Sequence, residues 1–571
     1  MAARRGAWID ALISLAGGLM ISAWAGSAAR LSVDVLGTPQ TDKWGAIFLH
    51  DAFHRAILSG RFPFVDPEQL VPVGAPLAAM NGDNVVEMAV SGLLRLVAPW
   101  PLWFNLAHLA WSPLLAAAFV PLGRSLWSGE GIQDRVFRAA AAWTWALSPV
   151  FFGELAAGRI TQVVLLGLPL ALAQLWGASE GALDRRGRTL GAVGIALTGL
   201  GYWFYAVFLA ILAPVFVVRG AGRGRGVATF RELAILGAGA AVIVSPAIAG
   251  IAYSSHATGV SPEIPLPPGG LPPVFDNALQ LARAQPVQLE GWFPWALAPG
   301  LGLALVATAR RRSGAGPWIA LAALSLAFGL GPGQYLGGRL WLLPYWPLWK
   351  AIPLLARLTH PSRWVDFGML FLVVASFAGM FSLGRARLIA LAVPLGLAAQ
   401  LSAQGTLPLE SFRFEVPKLW TTAAATPGAL VVVPVMHAPD ACRWQPFTRR
   451  PVLGGMAEGI PWAWPPAFRA HFEANPLLLQ LLALGDGKVG AVDVREEDLA
   501  SLRADGFTQI ALDREGWLKW RHGQDGNVLT VLTAAFGAPI YAGPEGALWD
   551  LPATAASGSA SPPAGVRLPP P

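Results

Sequence analysis

The chain has 571 residues, of which 54% are hydrophobic and only 13% are charged, and its mean hydropathy is +0.50. Soluble proteins carry about 25% charged residues, so the composition excludes an ordinary soluble protein and predicts an integral membrane protein. The net charge is +7, but the arginines form short clusters between apolar segments rather than one basic stripe, so we expect no nucleic-acid partner.

The first apolar segment, residues 7–29, is longer than the core of a signal peptide and runs into no clear cleavage site. We therefore interpret it as a retained anchor. Short arginine-rich loops follow along the chain, and such loops stay in the cytoplasm. They contain Arg4 and Arg5; Arg124, Arg135 and Arg138; Arg185, Arg186 and Arg188; Arg219, Arg223, Arg225 and Arg231; Arg310 to Arg312; and Arg385 and Arg387.

Between these loops the apolar segments come in pairs, as expected for helices that cross a hydrocarbon core of about 30 Å. We expect about 11 crossings, within a range of 11 to 13, with the N-terminus in the cytoplasm. The predicted crossings are residues 7–29, 101–123, 137–155, 160–178, 190–202, 203–218, 233–253, 291–309, 317–332, 364–382 and 388–404.

Two segments are ambiguous. The pair within 190–218 is too long for one crossing and too short for two, which indicates a broken or re-entrant pair covered by protein. Segment 85–100 contains Glu87 and Arg95, and each would cost about 2.5 to 3.5 kcal/mol at the centre of a bilayer. We therefore expect this segment to lie along the membrane interface.

This topology predicts an all-α polytopic membrane domain with a small α/β domain outside the membrane. The pieces assigned to the outer side are residues 30–100, 254–290 and 333–363 and the chain after about 405. The predicted domains are the membrane domain over 1–404, the outer α/β domain over 405–551 and a disordered Pro/Ala/Ser-rich tail over 552–571.

The outer domain is predicted from its own local patterns. The stretches "GALVVVPV" (428–435) and "FTQIAL" (507–512) are typical of buried strands, and residues 467–484 and 496–505 are typical of amphipathic helices. Cys442 is the only cysteine in the chain, so an intramolecular disulfide is excluded.

The first outer piece contains an amphipathic helix over residues 42–58. Asp42 at its start has two interpretations: a cap of the helix N-terminus, or a general base that takes a proton from an acceptor hydroxyl. Asp51 is a second candidate base. For Asp51, His50 and His54 the alternative is a solvated helix face.

Two further outer stretches carry cations. "LPYWPLWKAIPLLARLTHPSRW" (343–364) ends with His360 and Arg363 at the start of a helix, where a guanidinium and free amides suit a phosphate. The alternative is that Arg363 extends to lipid headgroups.

The short hairpin "FFGELAAGRITQ" (151–162) carries Glu154 and Arg159. These two residues either pair with each other at the surface or contribute to the same phosphate site.

These motifs together resemble those of a known family. The first outer loop, the "G-R-x-T-Q" hairpin and "LARLTHPSRW" resemble the corresponding parts of the YfhO-like bacterial membrane proteins, which belong to the GT-C superfamily of glycosyltransferases. The loop positions are Asp42, Gly60, Pro63, Pro67, Gly74, Pro76 and Asn81. The resemblance covers most of the chain, but its motifs are short.

The resemblance implies a membrane glycosyltransferase that transfers a hexose or pentose from a polyprenyl-phosphate-linked donor. The acceptor would be an envelope glycan, lipid or protein at the outer face of the bacterial inner membrane. It implies Asp42 as the general base and Arg363, His360 and Arg159 as ligands of the donor phosphate. It leaves a divalent cation open as a cofactor, and we assign no metal ligands, because the sequence offers no compact set of them.

The sequence departs from the family pattern at several of these positions. Arg159 stands where a histidine is common, and Thr359 stands where an arginine is common. Val65 and Asp66 replace an aromatic residue and an asparagine. These departures lie at positions that the resemblance assigns to donor handling.

Two other functions stay open: a transporter or lipid flippase, and a non-catalytic envelope-assembly protein that retains the fold. Transporters place ionisable residues near the middle of their spans. In this sequence the assigned spans, apart from Asp10 near the start of the first, are almost free of charge and the acids cluster in the outer loops, which favours chemistry at the membrane surface.

Overall fold

The computed structural model describes residues 2–62, 64–81, 84–260, 294–310, 314–336, 339–352, 355, 358, 361–459, 464–521 and 527–551. Most of the predicted outer piece 254–290 and the whole tail 552–571 lie outside the described residues. The chain divides into two compact units. Unit 1 takes the described residues of Met1–Phe64, Leu77–Ala257 and Ser261–Glu415, and unit 2 takes those of Val65–Pro76, Thr258–Val260 and Val416–Pro571.

Unit 1 is mainly helical. Its α-helices are α1 (Ala2–Ala25), α2 (Thr41–Leu58), α3 (Leu77–Asn81), α4 (Val85–Arg95), α5 (Leu102–Leu109), α6 (Trp111–Ala118), α7 (Val120–Leu126), α8 (Ile132–Ala146), α9 (Pro149–Ala157), α10 (Gly167–Glu180), α11 (Arg185–Gly201), α12 (Trp203–Leu212), α13 (Pro214–Ala221), α14 (Gly226–Thr258), α15 (Ala298–Ala309), α16 (Gly316–Gly329), α17 (Tyr345–Ala351), α18 (Arg363–Phe381) and α19 (Ala392–Ala403). Its 3₁₀ turns are Ile160–Gln162, Trp295–Leu297 and Gly384–Leu391.

Six helical stretches of the described chain are long and apolar enough to cross a membrane, by length and composition. Most of α18 is buried inside the protein, whereas most of α14 is exposed, as expected for a central helix and a lipid-facing one. The six stretches are Gly6–Ala25, Leu102–Leu126, Ile160–Glu180, Trp203–Ala221, Gly226–Thr258 and Arg363–Phe381.

The other predicted crossings are also helical, but they are shorter or divided. Segment 137–155 forms α8 and α9, which separate at Pro149, and 190–202 lies in α11. The last three are the short apolar helices Trp295–Ala309, Gly316–Gly329 and Arg387–Ala403. The helical character of these segments is therefore confirmed, and six of the stretches are candidate membrane spans, while a total of 11 crossings stays a prediction.

The ambiguous segment 190–218 lies in three helices, α11, α12 and α13, of which α12 and α13 make up one long apolar stretch, Trp203–Ala221. α11 and α12 meet at Tyr202, whose backbone is extended (φ −163°, ψ 115°). The helices extend beyond the apolar count, because α11 begins at Arg185 and α13 carries Arg219 in its last turn and ends at Ala221. The segment looked too short for two crossings because their ends are charged.

Glycines allow the neighbouring helices α10 and α11 to approach closely. A Cβ atom on Gly167 would lie 2.2 Å from the carbonyl oxygen of Gly194, so neither helix tolerates a side chain at this crossing. Small residues at helix crossings are typical of membrane proteins, where packing rather than a hydrophobic driving force holds helices together.

Helix α2 packs along α4 through buried ion pairs. His50 Nε2 lies 2.5 Å from Glu87 Oε1, and Asp51 bonds to Arg95 at 2.5 Å and to Arg55 at 2.6 Å. The predicted solvated helix face is therefore wrong for His50 and Asp51, which are both buried. Glu87 and Arg95 find their partners on α2.

Short strands tie distant parts of unit 1 together. β1 (Asp34–Leu36) runs antiparallel to β4 (Ser411–Arg413), and β2 (Gly333–Leu336) runs antiparallel to β3 (Arg339–Leu342). The first pair connects the segment before α2 to the segment after α19.

Unit 2 contains a four-stranded mixed sheet in the order β5-β6-β8-β7. β5 (Ala429–Val433) is parallel to β6 (Phe507–Asp513), and β8 (Gly546–Asp550) is antiparallel to both β6 and β7 (Tyr541–Gly543). Its helices are α20 (Lys418–Ala423), α21 (Gln445–Thr448), α22 (Pro466–Ala474), α23 (Pro476–Gly485), α24 (Glu496–Ala504), α25 (Arg514–Trp520) and α26 (Val528–Phe536), and its 3₁₀ turns are Pro439–Trp444 and Gly455–Gly459. The two predicted strands and the predicted helices of this region are confirmed.

Unit 2 also includes residues 65–76, which the sequence had assigned to the first outer loop. The amide of Val452 donates to the carbonyl of Glu68 at 2.8 Å, and the amide of Val71 donates to the carbonyl of Val452 at 3.4 Å. These backbone bonds attach the segment beside β5, because Val452 itself forms a parallel bridge with Leu430.

Candidate functional site

Asp42 lies in the first turn of α2, with about half of its side chain exposed (51%). The cap position of this helix belongs to Gln40, which makes no side-chain capping bond. The carboxylate of Asp42 instead accepts a hydrogen bond from Arg159 Nη1, at 3.1 Å. Capping therefore does not explain Asp42, and its partner comes from a different part of the chain.

The hairpin between α9 and the following 3₁₀ turn positions Arg159. Gly158 has a left-handed backbone (φ +81°), and a Cβ atom on it would lie 2.6 Å from the Cα atom of Lys43. Glycine is needed here both for the conformation and for the close approach of α2. Arg159 Nε donates to Glu154 and Nη1 donates to Asp42, so this one guanidinium joins two carboxylates.

Lys43 fixes the local structure behind Asp42. Its side chain is buried, and its ammonium group donates to the backbone carbonyls of Leu36 and Leu155. Burial lowers the pKa of Lys43 to about 7, because the charged form is poorly solvated. The first turn of α2 and the end of α9 are thereby held together around the Asp42–Arg159 pair.

Arg363 is the first residue of α18, as the sequence predicted. Its guanidinium carbon lies 4.8 Å from the centre of the Tyr202 ring, at the break between α11 and α12. The side-chain oxygen of Gln162 accepts a hydrogen bond from Arg363 when the amide is oriented to satisfy both of its polar groups. The hydroxyl of Tyr205 donates to the backbone carbonyl of Gln162 at 2.9 Å.

Asp366 follows Arg363 by three residues, so both lie on the same face of α18. Asp366 is buried and interacts electrostatically with Glu154, Arg363 and Arg159. Arg363 in turn interacts electrostatically with Glu154. The two predicted cations therefore belong to one group of side chains, which we call the charged cluster: Asp42, Glu154, Arg159, Arg363 and Asp366.

Two other candidate residues of the first outer loop, Asp51 and His54, do not join the charged cluster. Asp51 lies nine residues along α2 from Asp42, about 13 Å at 1.5 Å per residue. Its carboxylate forms ion pairs with Arg55 and Arg95. His54 is half-buried in the same helix. His360 lies outside the described residues.

The structure adds residues to the site that the sequence argument did not assign. Tyr202, Tyr205 and Asp366 line the same region as Arg363, and Lys43 holds the segments that carry Asp42 and Arg159. Two signals were present in the sequence: the i, i+3 spacing of Arg363 and Asp366, and the tyrosines at the weak point of segment 190–218.

The chemistry available to the charged cluster follows from its groups. Guanidinium groups bind phosphate through charge-assisted hydrogen bonds, and a half-exposed carboxylate can accept a proton. Among the described residues, no group of three or more His, Cys, Asp or Glu side chains is arranged to hold a metal ion.

Comparison with protein families and with curated proteins gives no match. The chain has a partial similarity to solved structures of an oligosaccharyltransferase from Archaeoglobus fulgidus. Its complex with Zn and sulfate is 14% identical over 95% of this chain and 72% of that chain, with a TM-score of 0.45. The apo form is 13% identical over 90% and 71%, with a TM-score of 0.46.

A third structure, the archaeal oligosaccharyltransferase AglB from Archaeoglobus fulgidus in complex with an inhibitory peptide and a dolichol-phosphate, is 14% identical over 95% of this chain and 74% of that chain. Its TM-score is 0.32. These scores are too low to establish a common fold, so the function is argued from the residues of this chain.

Proposed function

We propose that this protein is a membrane glycosyltransferase of the GT-C type. It transfers a hexose or pentose from a polyprenyl-phosphate-linked donor to an envelope glycan, lipid or protein. The reaction takes place at the outer face of a bacterial inner membrane, with the N-terminus in the cytoplasm. The observation that carries this proposal is that Arg159 bonds both to Asp42, a half-exposed carboxylate, and to Glu154, which in turn interacts electrostatically with Arg363.

The charged cluster suits the bond changes of sugar transfer. The oxygen of the acceptor hydroxyl forms a bond to the anomeric carbon of the donor, and the bond between that carbon and the phosphate oxygen breaks. Asp42 takes the proton of the hydroxyl, and the electron pair leaves with the polyprenyl phosphate. Arg363 and Arg159 stabilise the charge that develops on the departing phosphate, as preorganised cations do in a transition state.

The placement of charge favours this function over transport. In the six long apolar stretches of the described chain, the charged residues lie within about two helical turns of a stretch end. Arg363 and Asp366 lie in the first turn of α18, and Asp10 lies near the start of α1, where it pairs with Arg138. A transporter that binds an ionic substrate at mid-membrane needs such groups near the middle of its spans.

A bacterial strain that lacks the gene tests the proposal. It is complemented with the wild-type protein, with Asp42→Asn, or with Glu130→Gln. Glu130 is a matched control, because it is an equally exposed carboxylate (50%) paired with Arg124 and Arg135, away from the charged cluster. Mass spectrometry of the envelope lipids and polysaccharides measures the sugars attached in each strain.

We expect one sugar modification to be absent from the deletion strain. Wild type and Glu130→Gln should restore it, whereas Asp42→Asn, expressed at the same level, should not. Full restoration by Asp42→Asn would contradict the role of the carboxylate. An unchanged sugar profile in the deletion strain would contradict the proposed function itself.

A further inference from the structure

The proposed base, Asp42, already has a hydrogen-bond partner in this structure. Asp42 Oδ2 accepts a hydrogen bond from Arg159 Nη1, and a guanidinium competes with an incoming proton for the same oxygen. The same guanidinium is one of the two cations proposed to bind the donor phosphate. Arg159 therefore has two candidate partners for one end of its side chain.

The two carboxylates that Arg159 bonds are not equivalent. The side chain of Glu154 is only 10% exposed, whereas that of Asp42 is 51% exposed. A buried carboxylate that loses its cation is left uncompensated, which is strongly unfavourable, but exposed ion pairs are weak. An anion that approaches from solvent can therefore displace Asp42 from Nη1 while Nε stays on Glu154.

We propose that Arg159 exchanges its partner when the donor binds: the donor phosphate replaces Asp42 at Arg159, and the exchange frees Asp42 to accept the acceptor's proton. This inference rests on the proposed function and extends it to the order of events. Asp42 becomes available as a base only in the donor complex. The acceptor hydroxyl is therefore activated only when a donor sugar is bound for it to attack.

The exchange requires the movement of one side-chain end only. Gly158 and the buried Lys43 hold the backbone on both sides of the pair, so only the outer end of the Arg159 side chain has to move. Nε remains bonded to Glu154, and the guanidinium turns its Nη groups from one exposed oxygen to another. No rearrangement of a helix is required.

A double-mutant cycle measures the exchange directly. The probe is geranylgeranyl phosphate, which supplies the isoprenoid chain and the phosphate without a sugar. Its dissociation constant is measured on the full chain in lipid nanodiscs for the wild type, Asp42→Asn, Arg159→Ala and the double variant. Arg159→Lys serves as a second background, because it keeps a cation beside buried Glu154 but removes the fork that joins two carboxylates. Glu130→Gln is the control for loss of an exposed carboxylate elsewhere.

We expect Asp42→Asn to tighten binding of the probe about two- to five-fold, the range that corresponds to the strength of exposed ion pairs. Arg159→Ala should weaken binding. In both the Arg159→Ala and Arg159→Lys backgrounds, Asp42→Asn should have no more effect than Glu130→Gln. This loss of coupling separates partner exchange from simple charge repulsion between Asp42 and the phosphate.

If Asp42→Asn tightens probe binding equally with and without Arg159, charge repulsion between Asp42 and the phosphate explains the effect. This result would overturn the exchange and leave the proposed function intact. No tightening in the wild-type background would also overturn the exchange alone. If the wild-type protein does not bind the probe at all, this result contradicts both the polyprenyl-phosphate donor of the proposed function and the exchange that depends on it.

Discussion

Arg159 and Asp42 are separated by 117 residues in the chain, and this separation limits what a sequence reveals about single residues. The sequence predicted Arg363 at a helix start and Asp42 near one, because helix boundaries are local. It left open whether Arg159 pairs with Glu154 or binds a phosphate, and the structure bonds it to both Glu154 and Asp42. The buried environment of Lys43 had no local signal, since its acceptors are backbone carbonyls and one of them, that of Leu155, is 112 residues away.

Unit 2 contains a buried carboxyl group, that of Glu458, which should make the stability of this unit depend on pH. Glu458 is buried and accepts hydrogen bonds from the amides of Ala438, at 2.7 Å, and Gly455, at 2.9 Å. Burial raises its pKa to about 8, against the opposing effect of these two bonds. Burial likewise raises the pKa of Asp513 to about 6.

We predict that unit 2 loses stability as the pH rises from 6.5 to 8. Folded Glu458 keeps its proton up to about pH 8, whereas the unfolded chain releases it near the ordinary value of 4.5. The folded state binds more protons in this window, so the free energy of unfolding falls, by at most about 1.4 kcal/mol per pH unit. Asp513 titrates mainly below the window. Glu458→Gln should remove most of the slope.

Cys442 provides the measurement. It is the only cysteine of the chain and is buried in unit 2, so brief labelling with a maleimide at increasing temperature reports the unfolding of that unit alone. Labelling is normalised at each pH to the fully unfolded chain. Parallel declines of the midpoint in the wild type and in Glu458→Gln would show that another group causes the pH dependence.

At the scale of elements, α2 and α4 show where periodicity succeeds and where it fails. The pattern of residues 42–58 predicted a helix, and α2 is that helix. The same pattern assigned Asp51 to a solvated face, because a charged residue is usually exposed. Asp51 is instead buried against Arg95 of α4, and a pair between two helices leaves no periodic signal.

We predict that Asp51→Asn lowers stability more than it lowers turnover. Breaking the buried ion pair between Asp51 and Arg95 should cost roughly 3 kcal/mol, because the charge of Arg95 loses its carboxylate. Glu415→Gln is the control, because the Glu415–Arg413 pair is exposed (73% and 54%) and such pairs contribute about 0 to 1 kcal/mol. Thermal midpoints and the turnover of the folded fraction are measured for both variants. A stable but inactive Asp51→Asn protein would instead support Asp51 as the base.

At the scale of the whole molecule, hydropathy predicted the helical membrane character of unit 1, and strand and helix patterns predicted the mixed sheet region of unit 2. Composition did not predict that residues 65–76 belong to unit 2, because they attach by backbone hydrogen bonds to Val452, which any residue type can make. The sequence predicted a break between the crossings 190–202 and 203–218, and the helices do separate at Tyr202, but it did not predict that Tyr202 lies beside Arg363. The membership of the charged cluster depends on packing that brings α2, the end of α9 and the start of α18 together.

If the charged cluster acts as proposed, the protein transfers a sugar from a polyprenyl phosphate and releases the free phosphate. The most direct measurement is the release of free polyprenyl phosphate, detected by mass spectrometry, when the purified protein in nanodiscs receives polyprenyl-phosphate-linked hexose and pentose donors with an envelope extract as acceptor. We expect release with at least one donor, and a rate at least about 100-fold lower for Asp42→Asn, as expected for the loss of a general base. No release with any donor, or an unchanged rate for Asp42→Asn, would contradict the account.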